Sequence, residues 1–221
     1  MCWSEEVSWA TFTFGMITSL QVMWIHKNNP MMLTLVAAWQ PVIWMQFFEA
    51  LVWRSISTED GGTLGTYGAV FTALLQPPLM GLVLLTQKNV KEINRKVAVV
   101  LIIAHIYWYS YSLTQISPLA PLDLFDDVNC RHIDFAYWMD LSQPDVVYSF
   151  TTVMLFILLI PDIEMALFLI IMSLTTYTTT YLLYNCGESN GSMWCWFSSM
   201  MPFLMTIFDN FRSRVLSCKY E

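Results

Sequence analysis

Residues Val146–Tyr184 read VVYSFTTVMLFILLIPDIEMALFLIIMSLTTYTTTYLLY, and this stretch decides the fold. A helix that crosses a bilayer needs about 20 apolar residues, and the run is roughly twice that. One helix cannot use it all. Pro161 lacks a backbone N–H and Asp162 follows it, so the run divides there into a helix over 146–160 and another over 164–184. The same reading, carried outward, predicts helices over 8–25, 31–53, 63–86, 97–114 and 193–209. A longer, lid-like connection occupies 115–145. The expected architecture is all-α: a seven-transmembrane helix bundle forming one domain over residues 1–221.

Composition points the same way. The chain is 56% hydrophobic and only 12% charged, against about a quarter charged in a soluble domain. Met1–Val7 contains Glu5 and Glu6 but no basic residue, unlike the start of a signal peptide, so the first block is expected to remain as a span. Trp3, Trp9, Trp53, Trp138 and Trp194 fall near the predicted span ends, where ring side chains anchor helices at a bilayer surface.

Lys and Arg near span ends are retained on the cytoplasmic side. Lys27, Lys88, Lys91, Arg95, Lys96, Arg212, Arg214 and Lys219 share one side of the predicted bundle, with Arg54 and Arg131 opposite. This puts the amino terminus outside and the carboxyl terminus inside, which requires an odd number of spans. The net charge of −7 is carried mostly by the outer segments, among them Glu5, Glu6, Asp123, Asp126, Asp127, Asp134 and Glu188. Such a face excludes nucleic acid as a partner. The expected partners are the lipid bilayer, an ion or small solute, and proteins at the outer loops. No cofactor is expected.

Spans one to three echo spans five to seven in loop pattern. Lys27–Pro30 leads into Met31 as Pro161–Glu164 leads into Met165, and Pro77-Pro78-Leu79-Met80 is matched by Pro202-Phe203-Leu204-Met205. This 3+1+3 layout of parallel repeats resembles the plan of the sugar-exporter and PQ-loop transporters, with substrate held at the repeat interface. The departure is that Gln40-Pro41 and Gln76-Pro77 reverse that family's Pro-Gln order.

Polar groups inside spans are costly, on the order of 3 kcal/mol for a charge at mid-span, so each wants a partner or a role. Trp39, Val42, Gln46, Glu49 and Trp53 share one helix face, which directs Gln46 and Glu49 together into the bundle. Glu49 is then either a proton or cation site or a carboxylate near the outer surface, hydrogen-bonded to a neighbouring helix or hydrated. His105 shares a face with Tyr109 and Ser112, either as a relay or as a histidine satisfied by a neighbour. Ser173, Thr176, Thr180 and Tyr184 form a polar stripe that lines a path or bonds across helices. The transport-path candidates are thus Gln46, Glu49, His105, Tyr109, Thr176 and Thr180. Ser8, Thr11, Gly15 and Thr18, and Gly61, Gly65 and Ala69, are small-residue stripes read as helix packing. Every lysine lies outside the spans, which rejects a retinal-binding rhodopsin.

Cys2, Cys130, Cys186 and Cys195 fall on the outer side and are the disulfide candidates, with connectivity open. The opening Met1-Cys2-Trp3-Ser4 and the later Gly191-Ser192-Met193-Trp194-Cys195 together resemble an uncharacterised family of multi-pass membrane proteins of giant DNA viruses and some microbes. The resemblance supplies no activity. It implies an outer cluster of Cys2, Trp3, Cys130, His132 and Cys195, as a disulfide scaffold or, alternatively, a metal or redox site on Cys2, Cys130, His132 and Cys195. The leading expectation is a small-solute or ion transporter or channel-like protein. The alternatives are a non-catalytic viral or membrane assembly component and a receptor-like seven-helix protein. An enzyme is not expected, because no catalytic pair converges within the spans.

Overall fold

The computed structural model describes residues 4–58, 63–115, 123–127, 130–134, 144–183 and 199–217. Among these residues the fold is helical, with seven helices: α1 (Glu5–Ile25), α2 (Pro30–Thr58), α3 (Thr63–Leu84), α4 (Glu92–Gln115), α5 (Pro144–Leu159), α6 (Ile163–Leu183) and α7 (Met201–Ser217). The connection after α4 contains a two-stranded antiparallel ribbon, β1 (Asp123–Asp127) and β2 (Cys130–Asp134), with Asp123 opposite Asp134 and Asp127 opposite Cys130. Composition hides this ribbon, because aspartate is a poor strand former.

Local chemistry sets the helix starts. Ser4 Oγ accepts from the Val7 N–H at 3.3 Å, and Glu5 and Glu6 place negative charge against the positive end of the α1 dipole. Asn29 Oδ1 accepts from Met32 N at 3.3 Å, and Pro30 fills the first position of α2, where no N–H is needed. Asp162 Oδ1 accepts from Glu164 N and Met165 N at 3.1 and 3.2 Å, which makes the Pro161–Asp162 break the start of α6.

The last helix corrects the expected 193–209. It runs from Met201 to Ser217, after a turn at Ser199–Met200, and residues 193–198 lie outside the described set. Pro202 is tolerated in a first turn, and Met200 O accepts from Phe203 N and Leu204 N. Hydropathy alone ends this helix too early, because the polar residues after Asp209, Arg212 among them, continue it.

Among the described residues one helix, Pro30–Ser55, is long and apolar enough to cross a membrane. A second qualifies if the two parts of α3, Tyr67–Ala73 and Leu75–Leu84, which meet at 55°, count as one span. The bend has an identifiable cause: the rings of Pro77 and Pro78 crowd the carbonyls four residues back, at Ala73 and Leu74.

Helix pairing follows close approach. α2 packs against α1 and α3, α5 against α3, α4 and α6, and α7 against α1 and α2. α7 thus lies against α1 and α2, and it also meets α6, where Phe208 stacks on Phe168 with centroids 4.3 Å apart. Gly65 has Val52 N 2.8 Å from where its Cβ would lie, and Gly15 stands likewise 3.0 Å from Ile43 Cγ2 and 3.3 Å from Ser199 O. Ser8, Thr11, Thr18 and Ala69 are buried, as the packing stripes predict, and Gly61 lies outside the described residues.

Side chains tie helix ends together on the side that carries most of the basic residues. Gln87 Nε2 donates to Met31 O at 3.3 Å, Arg95 Nη1 to Leu85 O at 2.7 Å and Asn94 Nδ2 to Leu158 O at 3.1 Å. Leu85 O and Leu158 O lie at carboxyl-terminal helix ends, where the backbone ladder leaves carbonyls open, whereas Met31 O is in the first turn of α2.

Candidate functional site

Contacts across the bundle fix which side chains share a level. Gly65 lies against Val52 and Thr72 against Met45, so α2 and α3 run antiparallel. Gly81 faces Leu155 and Gln76 meets Tyr148, so α3 and α5 run parallel. Trp39 of α2 stacks on Phe156 of α5, with centroids 5.9 Å apart and an interplanar angle of 27°. About two turns further from the basic end than that stack, Gln46 comes level with Ser149, beside Tyr148 and Thr151.

The result is a buried polar layer spanning α2 to α5. Gln46 Nε2 donates to Glu49 Oε2 at 3.0 Å, and both residues have 0% exposure. The Glu49 carboxylate is therefore enclosed by side chains. Tyr148 Oη donates to Gln76 Oε1, joining α5 to α3. His105 Nδ1 is 3.1 Å from Thr151 Oγ1, joining α4 to α5. Thr151 Oγ1 donates to Val147 O at 2.8 Å, so its one proton is committed and the imidazole donates through Nδ1–H. Beneath the layer the interior among α2, α3 and α5 is apolar: Trp39, Phe156, Leu155, Met80, Leu84 and Leu159 are buried.

Of the predicted path residues, Gln46, Glu49 and His105 belong to this layer. Tyr109 is buried one turn beyond His105, and its hydroxyl has no hydrogen-bond partner among the described residues; the side chain of Ser112, the next group on that face, lies outside the described set. Thr176 lies on α6 and donates to Met172 O at 2.8 Å within its own helix. The side chain of Thr180 is outside the described set, as are Cys2, Cys186 and Cys195, and Cys130 and His132 are placed only by backbone on β2. Among the described residues no group of three or more His, Cys, Asp or Glu is arranged to hold a metal.

Gln76, Tyr148, Thr151 and Thr152 are not legible as site residues from composition. The signal is present in spacing, because Tyr148, Thr151, Thr152 and Leu155 repeat at three and four on one face of α5. Tyr148→Phe removes the donor to a buried carboxamide and is expected to cost about 1–3 kcal/mol. Thermal unfolding of the detergent-solubilised protein measures it; an unchanged midpoint would mean that the α3–α5 bond carries no stability.

A second cluster lies at the basic end. Arg212 Nη1 pairs with Asp162 Oδ2 and lies 3.6 Å from Glu164 Oε2, while Nη2 lies 3.4 Å from Asp209 Oδ1. His26 Nδ1 is 3.6 Å from Asp209 Oδ2. Burial pushes the Asp162 carboxyl up, but the Arg212 bond and charge and the N–H groups of Met165 and Glu164 outweigh it and hold the group below its ordinary value.

Comparison with family models, with curated proteins and with solved structures returns no match to this chain.

Proposed function

We propose that the chain is a seven-span membrane protein and that its buried polar layer is the binding site of a small-solute or ion carrier. The observation that carries this reading is the enclosed Gln46–Glu49 pair, level with hydrogen-bonded side chains from three other helices. The surface supports the membrane part. Val100, Ile103 and Tyr107 on α4 are 65%, 61% and 72% exposed, while Gln46, Glu49, Gln76 and His105 are buried. A water-soluble protein distributes these types the other way. The hydroxyls of Thr11, Thr18, Thr72, Thr151, Thr152 and Thr206 bond to carbonyls of their own helices, which satisfies them where no water is at hand.

The layer contains carboxyl, carboxamide, imidazole, phenol and hydroxyl groups, and no Lys or Arg among the described side chains. That chemistry suits a cation or a neutral hydrogen-bonding solute and disfavours an anion. The apolar interior from Trp39 to Leu159 separates the layer from the basic end, so the arrangement is that of an occluded carrier and not an open pore.

Proteoliposomes of the wild type and Glu49→Gln, assayed for cation and neutral-solute flux, test the proposal. The substitution is expected to reduce flux at least tenfold. Equal flux in both would remove Glu49 from the path, and no flux of any solute in the wild type would overturn the carrier reading. The same apolar separation favours a second reading, a non-catalytic membrane assembly component, which predicts that last outcome. Tags on the two termini are expected in opposite compartments; a shared compartment would exclude seven spans.

A further inference from the structure

We propose that the double-proline break in α3 is a cation-coordinating element of the buried polar layer and that the solute bound there is a monovalent alkali-metal ion, a reading that rests on the carrier function and narrows its solute to one chemical class.

The break is dictated by the sequence. In a regular helix each carbonyl accepts from the N–H four residues on, so Ala73 O and Leu74 O look to positions 77 and 78. Both positions are proline, which has no N–H to give. Two successive rungs of the helical ladder are therefore missing, and α3 turns by 55° between Tyr67–Ala73 and Leu75–Leu84. Ala73, Pro77 and Pro78 are buried, so the opened rungs lie inside the bundle. Helices broken within a membrane present such carbonyl oxygens to bound cations, because only a buried partner can satisfy them there.

Helix contacts place these oxygens at the polar layer. Thr72 Oγ1 lies 3.2 Å from Met45 Sδ, so Ala73 comes within a turn of Gln46 in height. Gln76 follows Ala73 by about one turn on the same face and is tied to Tyr148 of α5. On α2, Met45 and Val52 touch α3, while Trp39 stacks on Phe156 of α5. Gln46 and Glu49 share the Trp39 face, so they point into the angle among α2, α3 and α5 where Ala73 and Gln76 lie.

Ligand chemistry then selects the solute. The bend supplies two carbonyl oxygens, Gln76 a carboxamide oxygen and Tyr148 a phenol oxygen, a set that suits a hard cation. Glu49 adds one negative charge about a turn away, enough to balance a single positive one. In a buried layer that charge favours a cation strongly and gives a neutral solute no comparable gain.

The thermal midpoint of the full chain in detergent tests this at fixed ionic strength, with NaCl or KCl exchanged for N-methylglucamine chloride. The wild type is expected to melt about 3–6 °C higher in the alkali salt that it binds, at roughly tenfold excess over the dissociation constant. Pro77→Ala combined with Pro78→Ala restores both N–H donors, so the double variant should fold with a straighter α3 and lose the response. Glu49→Gln should lose it as well. A double variant that keeps the full response, or a wild type with equal midpoints in all three salts, would rule the site out. Should the double variant fail to fold, amide hydrogen exchange of wild-type α3 decides it: slower exchange over residues 71–80 in the alkali salt supports the site, and no difference removes it. Neutral-solute flux with no response to salt would sink the cation site and leave the carrier standing, whereas an alkali-ion response without flux would do the reverse.

Discussion

Leucine at position 65 is expected to prevent α3 from docking on α2 and to leave no folded protein in detergent extracts. An ideal Cβ at Gly65 would lie 2.8 Å from Val52 N and 3.0 Å from Leu51 C, so it collides with backbone, which cannot rotate away. Alanine already requires the two helices to part. Overpacking of this kind costs typically about 1–3 kcal/mol, and a branched side chain as large as leucine exceeds the upper figure. Gly81 supplies the control, because its Cβ would meet Ile102 Cδ1 at 2.8 Å, the far end of a side chain that can change rotamer. Gly81→Ala is therefore expected to be milder than Gly65→Ala, and monodispersity in detergent with thermal unfolding ranks them. The reverse order would mean that α2 and α3 do not cross at Gly65.

Replacing Asp162 with alanine is expected to be the most damaging change at the basic end, lowering stability by about 3 kcal/mol. The charge-assisted bond to Arg212 contributes about 1.5–3 kcal/mol and the cap on α6 about 1 kcal/mol. Asp162→Asn keeps a capping oxygen and loses the charge, so it should fall between alanine and the wild type. For a chain of this size the alanine variant should melt roughly 6–12 °C lower. The pH dependence has a definite sign. The folded-state carboxyl titrates below its ordinary value, so its stabilisation is fully present above about pH 4 and is lost as pH falls through the lower, folded value. Wild type and Asp162→Asn should converge only in strong acid. Equal midpoints at pH 7 would show that Arg212 does not hold the α5–α6 turn.

How legible each element is depends on the distance over which its physics acts. The break in Val146–Tyr184 is readable because Pro161 and Asp162 act on their own backbone, and Asp162 does cap α6. Glu49 and Gln46 are readable because helical spacing puts them on one face. The pairing of Gln76 with Tyr148 is not, since 72 residues separate them and no local signal states that α3 and α5 run parallel. The start and end of α7 differ from expectation for a related reason. The predicted span ends at Asp209, and the contacts that accompany the continuation to Ser217, of Asp209 with His26 and of Arg212 with Asp162 and Glu164, join residues far apart in sequence.

By itself the sequence determined where most of the helices form and where the run over 146–184 breaks, because backbone hydrogen bonding and run length are settled within a few turns. Tertiary structure alone decided that α7 packs on α1, that four helices deliver polar groups to one buried level, and that an apolar interior closes that level toward the basic end. Those outcomes depend on how closely distant segments can approach, which glycines such as Gly65 and bends such as that of α3 govern, and that information is held between helices and not along them.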